Sequence, residues 1–406
     1  MRVSSGVIAQ FRLSCATRWV VLGVVLSAVN CSSRADNMSV SRRTVGDTTF
    51  VASPDGGVLG PMRLVEILRV NSKQLSFGRV DAAAFGPDGS LWVFDAASEV
   101  GAAILVLDSL GVQRAMVGRE GAGPGEYRAP LRIFKLADGS MLAKEMSTTR
   151  AVRFSATGQV LRTLTLPPKV ATGWVVTPDT SAGWYITVSF EDNRAERIGR
   201  FGWLHFDRNG NVVDTVHPPS HLLTEPTPDG IAPGRIRTVG RDGAVLTTVP
   251  GPNRLVRYAR DGMVQIMEWP GQPPAYADEE RADMQVAEDE MSRLLGSGKR
   301  SLPERKQPSN RILTDDQGFI WLQLPTTGVR IPDHELQKGQ GLLTIKWRES
   351  DRWAAFAADG SLQFIVQLPD SARLLDRSGR ALLGMIADSS GEEHLVVWRV
   401  EPVAIP

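Results

Sequence analysis

Ala82-Ala-Ala-Phe85, Gly86-Pro-Asp-Gly89 and Leu91-Trp-Val-Phe94 follow one another along the chain. After a short loop come Ala103-Ile-Leu-Val-Leu107, Asp108-Ser-Leu-Gly111 and a further run from Val112 to Val117. Each apolar run has strand length. Each break carries Asp with Gly, and Gly adopts without a Cβ clash the positive φ that a tight hairpin turn needs. Four short strands joined in this way make one blade of a β-propeller.

The same plan recurs downstream. Inner hairpin turns stand at Pro87-Asp-Gly89, Ala137-Asp-Gly139, a degenerate Pro178-Asp-Thr-Ser-Ala-Gly183, Arg241-Asp-Gly243, Asp315-Asp-Gln-Gly318 and Arg377-Ser-Gly379. Outer turns follow the first five, at Asp108-Ser-Leu-Gly111, Ser155-Ala-Thr-Gly158, Asp207-Arg-Asn-Gly210, Ala259-Arg-Asp-Gly262 and Ala358-Asp-Gly360. The repeat predicts an all-β, six-bladed β-propeller over residues 62–406. The sixth unit lacks an outer strand, because the chain ends soon after Leu395 to Val400, whereas Leu64-Val-Glu-Ile-Leu68 has no hairpin partner of its own. An N-terminal strand that closes the last blade accounts for both ends and removes the open sheet edges.

Spacing between units is irregular because of insertions. Residues 276–306 contain Met284, Ala287, Met291 and Leu294 at helical spacing behind an acidic first turn, Asp278-Glu-Glu280, and before Gly296. This predicts an amphipathic helix whose apolar stripe packs on the propeller. A second insertion, Pro325 to Arg352, falls inside unit five.

The link Gly118-Arg-Glu-Gly-Ala-Gly-Pro-Gly-Glu-Tyr-Arg-Ala-Pro130, with the Leu105 to Val117 strands that lead into it, resembles the repeat of NHL-type six-bladed propellers and the exported bacterial propellers related to them. The resemblance implies the fold. Propellers of this kind serve as binding platforms and, less often, as enzymes.

Residues 1–35 read as an export leader: a basic n-region through Arg18, then an apolar run from Trp19 to Val29 that is too short to span a bilayer. Two maturation sites compete. Ala28-Val-Asn-Cys31 resembles a lipoprotein box, which would make Cys31 the lipidated residue, and Ser33-Arg-Ala35 offers ordinary signal cleavage. Either places the mature protein in the periplasm or attached at the outer membrane or cell surface, with any membrane contact made through the lipid. Residues 36–61, rich in Ser, Thr, Asp and Gly, read as a flexible tether. Cys15 and Cys31 are the only cysteines, so the folded part has no disulfide. The net charge of +1 becomes −3 once Arg2, Arg12, Arg18 and Arg34 leave with an acid-free leader, which argues against nucleic acid as a partner.

Familiar catalytic motifs are absent. Gly118 to Gly125 has no Lys-Ser/Thr ending, neither Gly-x-Ser-x-Gly nor His-Glu-x-x-His occurs, and the prolines of His217-Pro-Pro-Ser-His221 prevent a helical metal pair. Propeller topology sorts the remaining candidates. Loops joining second to third strands, and links between blades, emerge on one face, the loop face; the Asp-Gly hairpins lie on the other. On the loop face the sequence places Asp95, Glu99, Glu120, Glu126, Tyr127, Glu145, Arg150, Glu191, Asp192, Arg194, Asn253, Arg254 and Asp388. The leading expectation is a non-catalytic platform that engages an envelope protein, peptide or glycan through these residues, without a cofactor. The alternative is a metal-dependent hydrolase or lyase of the lactonase kind, with Ca²⁺ or another divalent ion held by Glu120, Glu145, Asn253 and Asp388 through oxygen ligands.

Overall fold

The computed structural model describes residues 39–71, 78–96, 102–128, 131–146, 148–170, 175–189, 201–220, 237–249, 251–294, 301–332, 346–370, 372–388 and 392–403. The leader and Cys31 lie outside them.

The described chain opens with a hairpin, β1 (Ser41–Val45) and β2 (Thr48–Ala52), followed by β3 (Met62–Asn71). Blade one is β4 (Val80–Phe85), β5 (Leu91–Asp95), β6 (Ala103–Leu107) and β7 (Gln113–Val117). Blade two is β8 (Leu131–Lys135), β9 (Met141–Glu145), β10 (Arg150–Phe154) and β11 (Val160–Thr165). Blade three is β12 (Val176–Pro178), β13 (Trp184–Ser189), β14 (Phe201–Phe206) and β15 (Val212–Val216). Blade four is β16 (Arg237–Val239), β17 (Val245–Thr248), β18 (Arg254–Tyr258) and β19 (Val264–Glu268), and a helix, α1 (Asp278–Leu294), lies in the link to blade five. Blade five is β20 (Arg311–Thr314), β21 (Ile320–Leu324), β24 (Arg352–Phe356) and β25 (Leu362–Gln367), with a small ladder of β22 (Val329–Arg330) and β23 (Trp347–Arg348) between its middle strands. Blade six is β26 (Ala372–Ser378), β27 (Ala381–Ala387) and β28 (Glu393–Pro402), completed by β3.

The expected closure is therefore present. Strand β3 runs antiparallel to β28 from Met62 opposite Pro402 to Asn71 opposite His394, with one bulge at Val397/Trp398. Every inner turn read from the sequence joins the first two strands of its blade. In the degenerate one, Asp179 accepts from the Ser181 and Gly183 amides, both at 2.7 Å, and Ala182, with a φ of 72°, stands where the other turns have glycine.

Apolar clusters lie between neighbouring blades around the ring. One joins Trp92 and Phe94 of blade one to Met141 and Phe154 of blade two, and another joins Leu105 of blade one to Leu383 and Leu395 of blade six. Outer-turn glycines let the blades approach. At Gly111, with φ of 79°, a Cβ would stand 2.6 Å from Val70 on β3. Gly158 bears the same relation to Val117 of blade one, also at 2.6 Å.

Two expectations change. The segment 36–61 was read as a tether because its polar composition lacks sustained periodicity, yet its β-branched residues form the β1–β2 hairpin around Gly46, and β2 pairs in parallel with β19, Thr48 opposite Val264 through Ala52 opposite Glu268. The chain then follows blade five: the Leu362 amide donates to Ser53 Oγ at 2.8 Å, and the Val58 and Leu59 amides donate to the Leu362 and Gln363 carbonyls, each at 3.0 Å. Residues 41–71 are thus a belt around the outer edges of blades four, five and six.

The helix differs in how it is held. Met284 and Val286 are exposed, and the side chains of Met291 and Leu294 lie outside the described residues. Anchoring comes from polar groups. Lys306 is buried between Glu280 Oε1 at 2.5 Å and Glu349 Oε1 at 2.8 Å, Arg281 donates to the Leu302 and Pro303 carbonyls, and Asp283 accepts from Lys346 and from the Trp347 indole. These bonds fasten the helical link to the blade-five insertion as one module on the loop face.

Gly89→Ala, at a φ of 78° with open space around it, is expected to cost about 1–2 kcal/mol of backbone strain. Gly111→Ala adds the collision with Val70, and about 1 kcal/mol or more beyond that value is expected, read from the midpoints of urea unfolding. Lys306→Met leaves Glu280 buried without its cation and is expected to cost about 3–5 kcal/mol in the same measurement.

Candidate functional site

Each inner strand enters at the loop face and ends at its Asp-Gly turn, so the first residues of the six strands surround one mouth of the central channel. That channel encloses about 310 Å³ and is lined by residues from all six blades. Arg132 is the second residue of β8, Arg311 the first of β20 and Arg373 the second of β26; Asp81 holds the matching place on β4. Arg237 opens β16. Strand alternation turns every second side chain away from the blade, which puts Arg132, Arg311 and Arg373 on the channel wall, joined there by Asp81 at a bulge of β4.

The mouth is electropositive. Arg132 donates to the Asp81 carbonyl at 3.2 Å and Arg373 to the Val80 carbonyl at 2.9 Å. Asp81 spends its carboxylate on Arg79, at 3.0 Å through each oxygen. Among the described residues, no carboxylate lies within ion-pair distance of Arg132, Arg311 or Arg373. Confinement depresses the Arg132 guanidinium, an effect that Asp81 offsets and the Arg373 charge deepens. Arg311 faces the water of the channel, yet the surrounding protein lowers it too, and the positive charges of Arg377 and Arg132 add to the effect against Asp351. Burial likewise lowers Arg237. Guanidinium groups remain protonated throughout the physiological range, so the channel mouth carries a standing like-charge repulsion.

The floor, at the hairpin face, is different. There Lys135 pairs with Asp316 and Arg377 with Asp376. Arg241 donates to the Asp179 carbonyl at 2.9 Å and the Asp315 carbonyl at 3.3 Å. Burial raises Asp376 despite the Arg377 charge and a bond from the Phe85 amide. It also raises Asp315, although the Trp321 indole and the Phe319 and Gly379 amides donate to it.

The residues expected from the sequence lie elsewhere, and none of those described lines the channel. Asp95 is fully buried and accepts from the Gly78 and Arg79 amides at 2.8 Å each. Glu120, Glu126, Tyr127, Glu145 and Arg150 do come together, around the link between blades one and two, where they serve the backbone. The buried Tyr127 hydroxyl donates to the Val117 carbonyl and accepts from the Ile104 amide, and burial pushes its pKa up to about 12. Glu126 accepts from the Gly123 amide and Arg119, and Glu145 accepts from the Arg128 amide and Thr148. Arg150 donates to the Gly123 and Glu126 carbonyls, and Glu120 accepts from the Ala102 amide. Asn253 donates to the Pro270 carbonyl and Arg254 pairs with Glu268, both on blade four. Asp388 binds His394 and the Glu392 amide on blade six. Glu99, Glu191, Asp192 and Arg194 lie outside the described residues.

Glu120, Glu145, Asn253 and Asp388 are therefore spread over different blades and a link. Among the described residues, no group of three or more His, Cys, Asp or Glu side chains is placed to hold a metal ion.

The arginines had a signal of their own in the sequence. Arg132, Arg237, Arg311 and Arg373 each stand six or seven residues ahead of an inner-turn glycine, namely Gly139, Gly243, Gly318 and Gly379. A search by turn loops overlooks them, because they sit on the strands that the turns end.

Among solved structures, the chain is similar to a member of the DUF4221 family from Bacteroides vulgatus, at 11% identity over 84% of this chain and 99% of that one, with a TM-score of 0.50. A Bacteroides fragilis protein whose name describes it as exported is similar at 10% identity over 87% and 99%, with a TM-score of 0.47. A gluconolactonase from Xanthomonas campestris is similar at 12% identity over 84% and 91%, with a TM-score of 0.37. The first likeness is one of fold, and the other two add nothing to it. No protein-family model matches the chain, and no curated protein matches it.

Proposed function

We propose that the chain is a non-catalytic binding propeller whose ligand is a small organic anion, taken up at the loop-face mouth of the central channel. One observation carries the reading: Arg132, Arg311 and Arg373 converge there, and among the described residues none has a carboxylate partner within ion-pair distance. An anion at the mouth relieves their mutual repulsion and gains charge-assisted hydrogen bonds from planar donors suited to a carboxylate. A divalent cation in the same place would meet three guanidinium groups, so the field favours an anion over the metal centre of a lactonase-like hydrolase or lyase. The loop-face residues expected to receive a protein, peptide or glycan are engaged with the backbone or with neighbouring side chains where they are described, which leaves the channel as the better-equipped surface. With the leader read in residues 1–35, this binding takes place outside the cytoplasm, at the cell envelope.

Isothermal titration of the mature chain with acetate, benzoate and sulfate is expected to show binding that weakens as NaCl rises. Arg311→Met is expected to lower the affinity about 10- to 100-fold, the equivalent of one charged hydrogen bond at about 1.5–3 kcal/mol. The same variant is expected to melt at or above the wild-type temperature without ligand, because it removes a charge from a confined repulsive set. An Arg311→Met protein that binds all three anions as the wild type does would overturn the assignment.

A further inference from the structure

We infer that the anion is amphiphilic: a monocarboxylate with a short apolar body, its charge at the mouth arginines and its body in an apolar waist of the channel. This rests on the anion-binding reading above and adds the ligand class.

The waist is read from the channel lining. Phe134 and Leu313 stand two residues along from Arg132 and Arg311, on the same face of an unbroken strand; Leu375 and Ala83 follow Arg373 and Asp81 across bulges at Leu375 on β26 and Asp81 on β4. All four line the cavity. Phe134, Leu313 and Leu375 are half-buried, each packed on one side against the core between its blade and a neighbour. Their other sides look into the channel, which gives an apolar collar beneath the charged one.

Chemistry at both ends bounds the ligand. A purely polar anion satisfies the mouth and leaves the collar in contact with water. An uncharged apolar molecule fits the collar and must cross three unneutralised guanidinium groups to reach it. The floor limits length. Asp315, just past the end of β20, is four residues from Arg311, roughly 13 Å at strand rise, and the Lys135–Asp316 and Arg377–Asp376 pairs at that level oppose the entry of a hydrocarbon tail. Chains longer than the distance between collar and floor gain nothing.

The test is isothermal titration of the mature chain with acetate, butyrate, hexanoate and decanoate, and with gluconate as a six-carbon anion whose body is hydroxylated. N-acetylleucine, with a carboxylate and apolar body beside an amide, stands for a peptide terminus and hexanoate for a free acid; whichever binds more tightly identifies the source. Affinity is expected to rise by up to about fourfold per methylene from acetate to hexanoate, then to level off by decanoate. Hexanoate is expected to exceed gluconate by at least tenfold. Leu313→Asn and Leu375→Asn, each checked for fold by circular dichroism, are expected to flatten the chain-length series while acetate binding persists. If hexanoate and gluconate bind equally, the amphiphilic class is wrong and the anion site stands. If none of these anions binds, both fall together. The wild-type series decides the matter even if a leucine variant fails to fold.

Discussion

The ladder between β28 and β3, which sets Met62 opposite Pro402 and Asn71 opposite His394, turns a row of blades into a ring. Without it, blade six would lack its outer strand, and Val70, which packs with Leu105 of blade one and Leu395 of blade six, would be lost from the core between them. Closure also sets the inner geometry. Only when blade six meets blade one do β26 and β4 stand side by side, so that Arg373 can reach the Val80 carbonyl and Asp376 can accept from the Phe85 amide. The channel is a product of a contact made at the rim of the molecule.

That channel departs from what stability alone would select. Placing three guanidinium groups at one mouth, with the Asp81 carboxylate beside them engaged by Arg79, works against the folded state at every pH at which arginine is charged. The floor shows that the same fold can pair its charges, as Lys135 with Asp316 and Arg377 with Asp376 do. The asymmetry between the two ends is the pattern expected where local consistency has yielded to a binding task.

Much of the architecture was legible because hairpin turns are local: Asp-Gly at Gly89, Gly139 and Gly243 reports its own φ requirement without reference to the rest of the chain. The missing outer strand was legible from counting, since six inner turns and five outer ones leave one vacancy. The belt was not, because Thr44 to Val51 is a short polar hairpin whose partner, β19, lies more than two hundred residues away. The mouth arginines were hidden for a related reason. Arg311-Ile-Leu-Thr reads as an ordinary strand, and only the ring brings it to the same channel mouth as Arg132 and Arg373. Conversely, composition cannot reveal that the carboxylates of Glu120 and Glu145 and the phenol of Tyr127 are occupied by backbone amides and carbonyls. The helix itself was legible from its spacing and acidic first turn, but not the buried Lys306 between two glutamates that holds the link down.

The closing ladder also fixes an order of events at the ribosome. Strand β3 is among the first parts of the fold to be synthesised and β28 is the last, with more than three hundred residues between their paired ends. Strand β3 must therefore remain without its final partner until β28 has been made, while five blades can already form behind it. A pairing of such sequence separation is slow to close, and the waiting edge is open to other chains in the meantime. On the sheet of blade four, the entirely exposed edge strand β1, with Arg42 and Arg43 on it, is the kind of charged border that keeps an open edge from pairing with a second molecule.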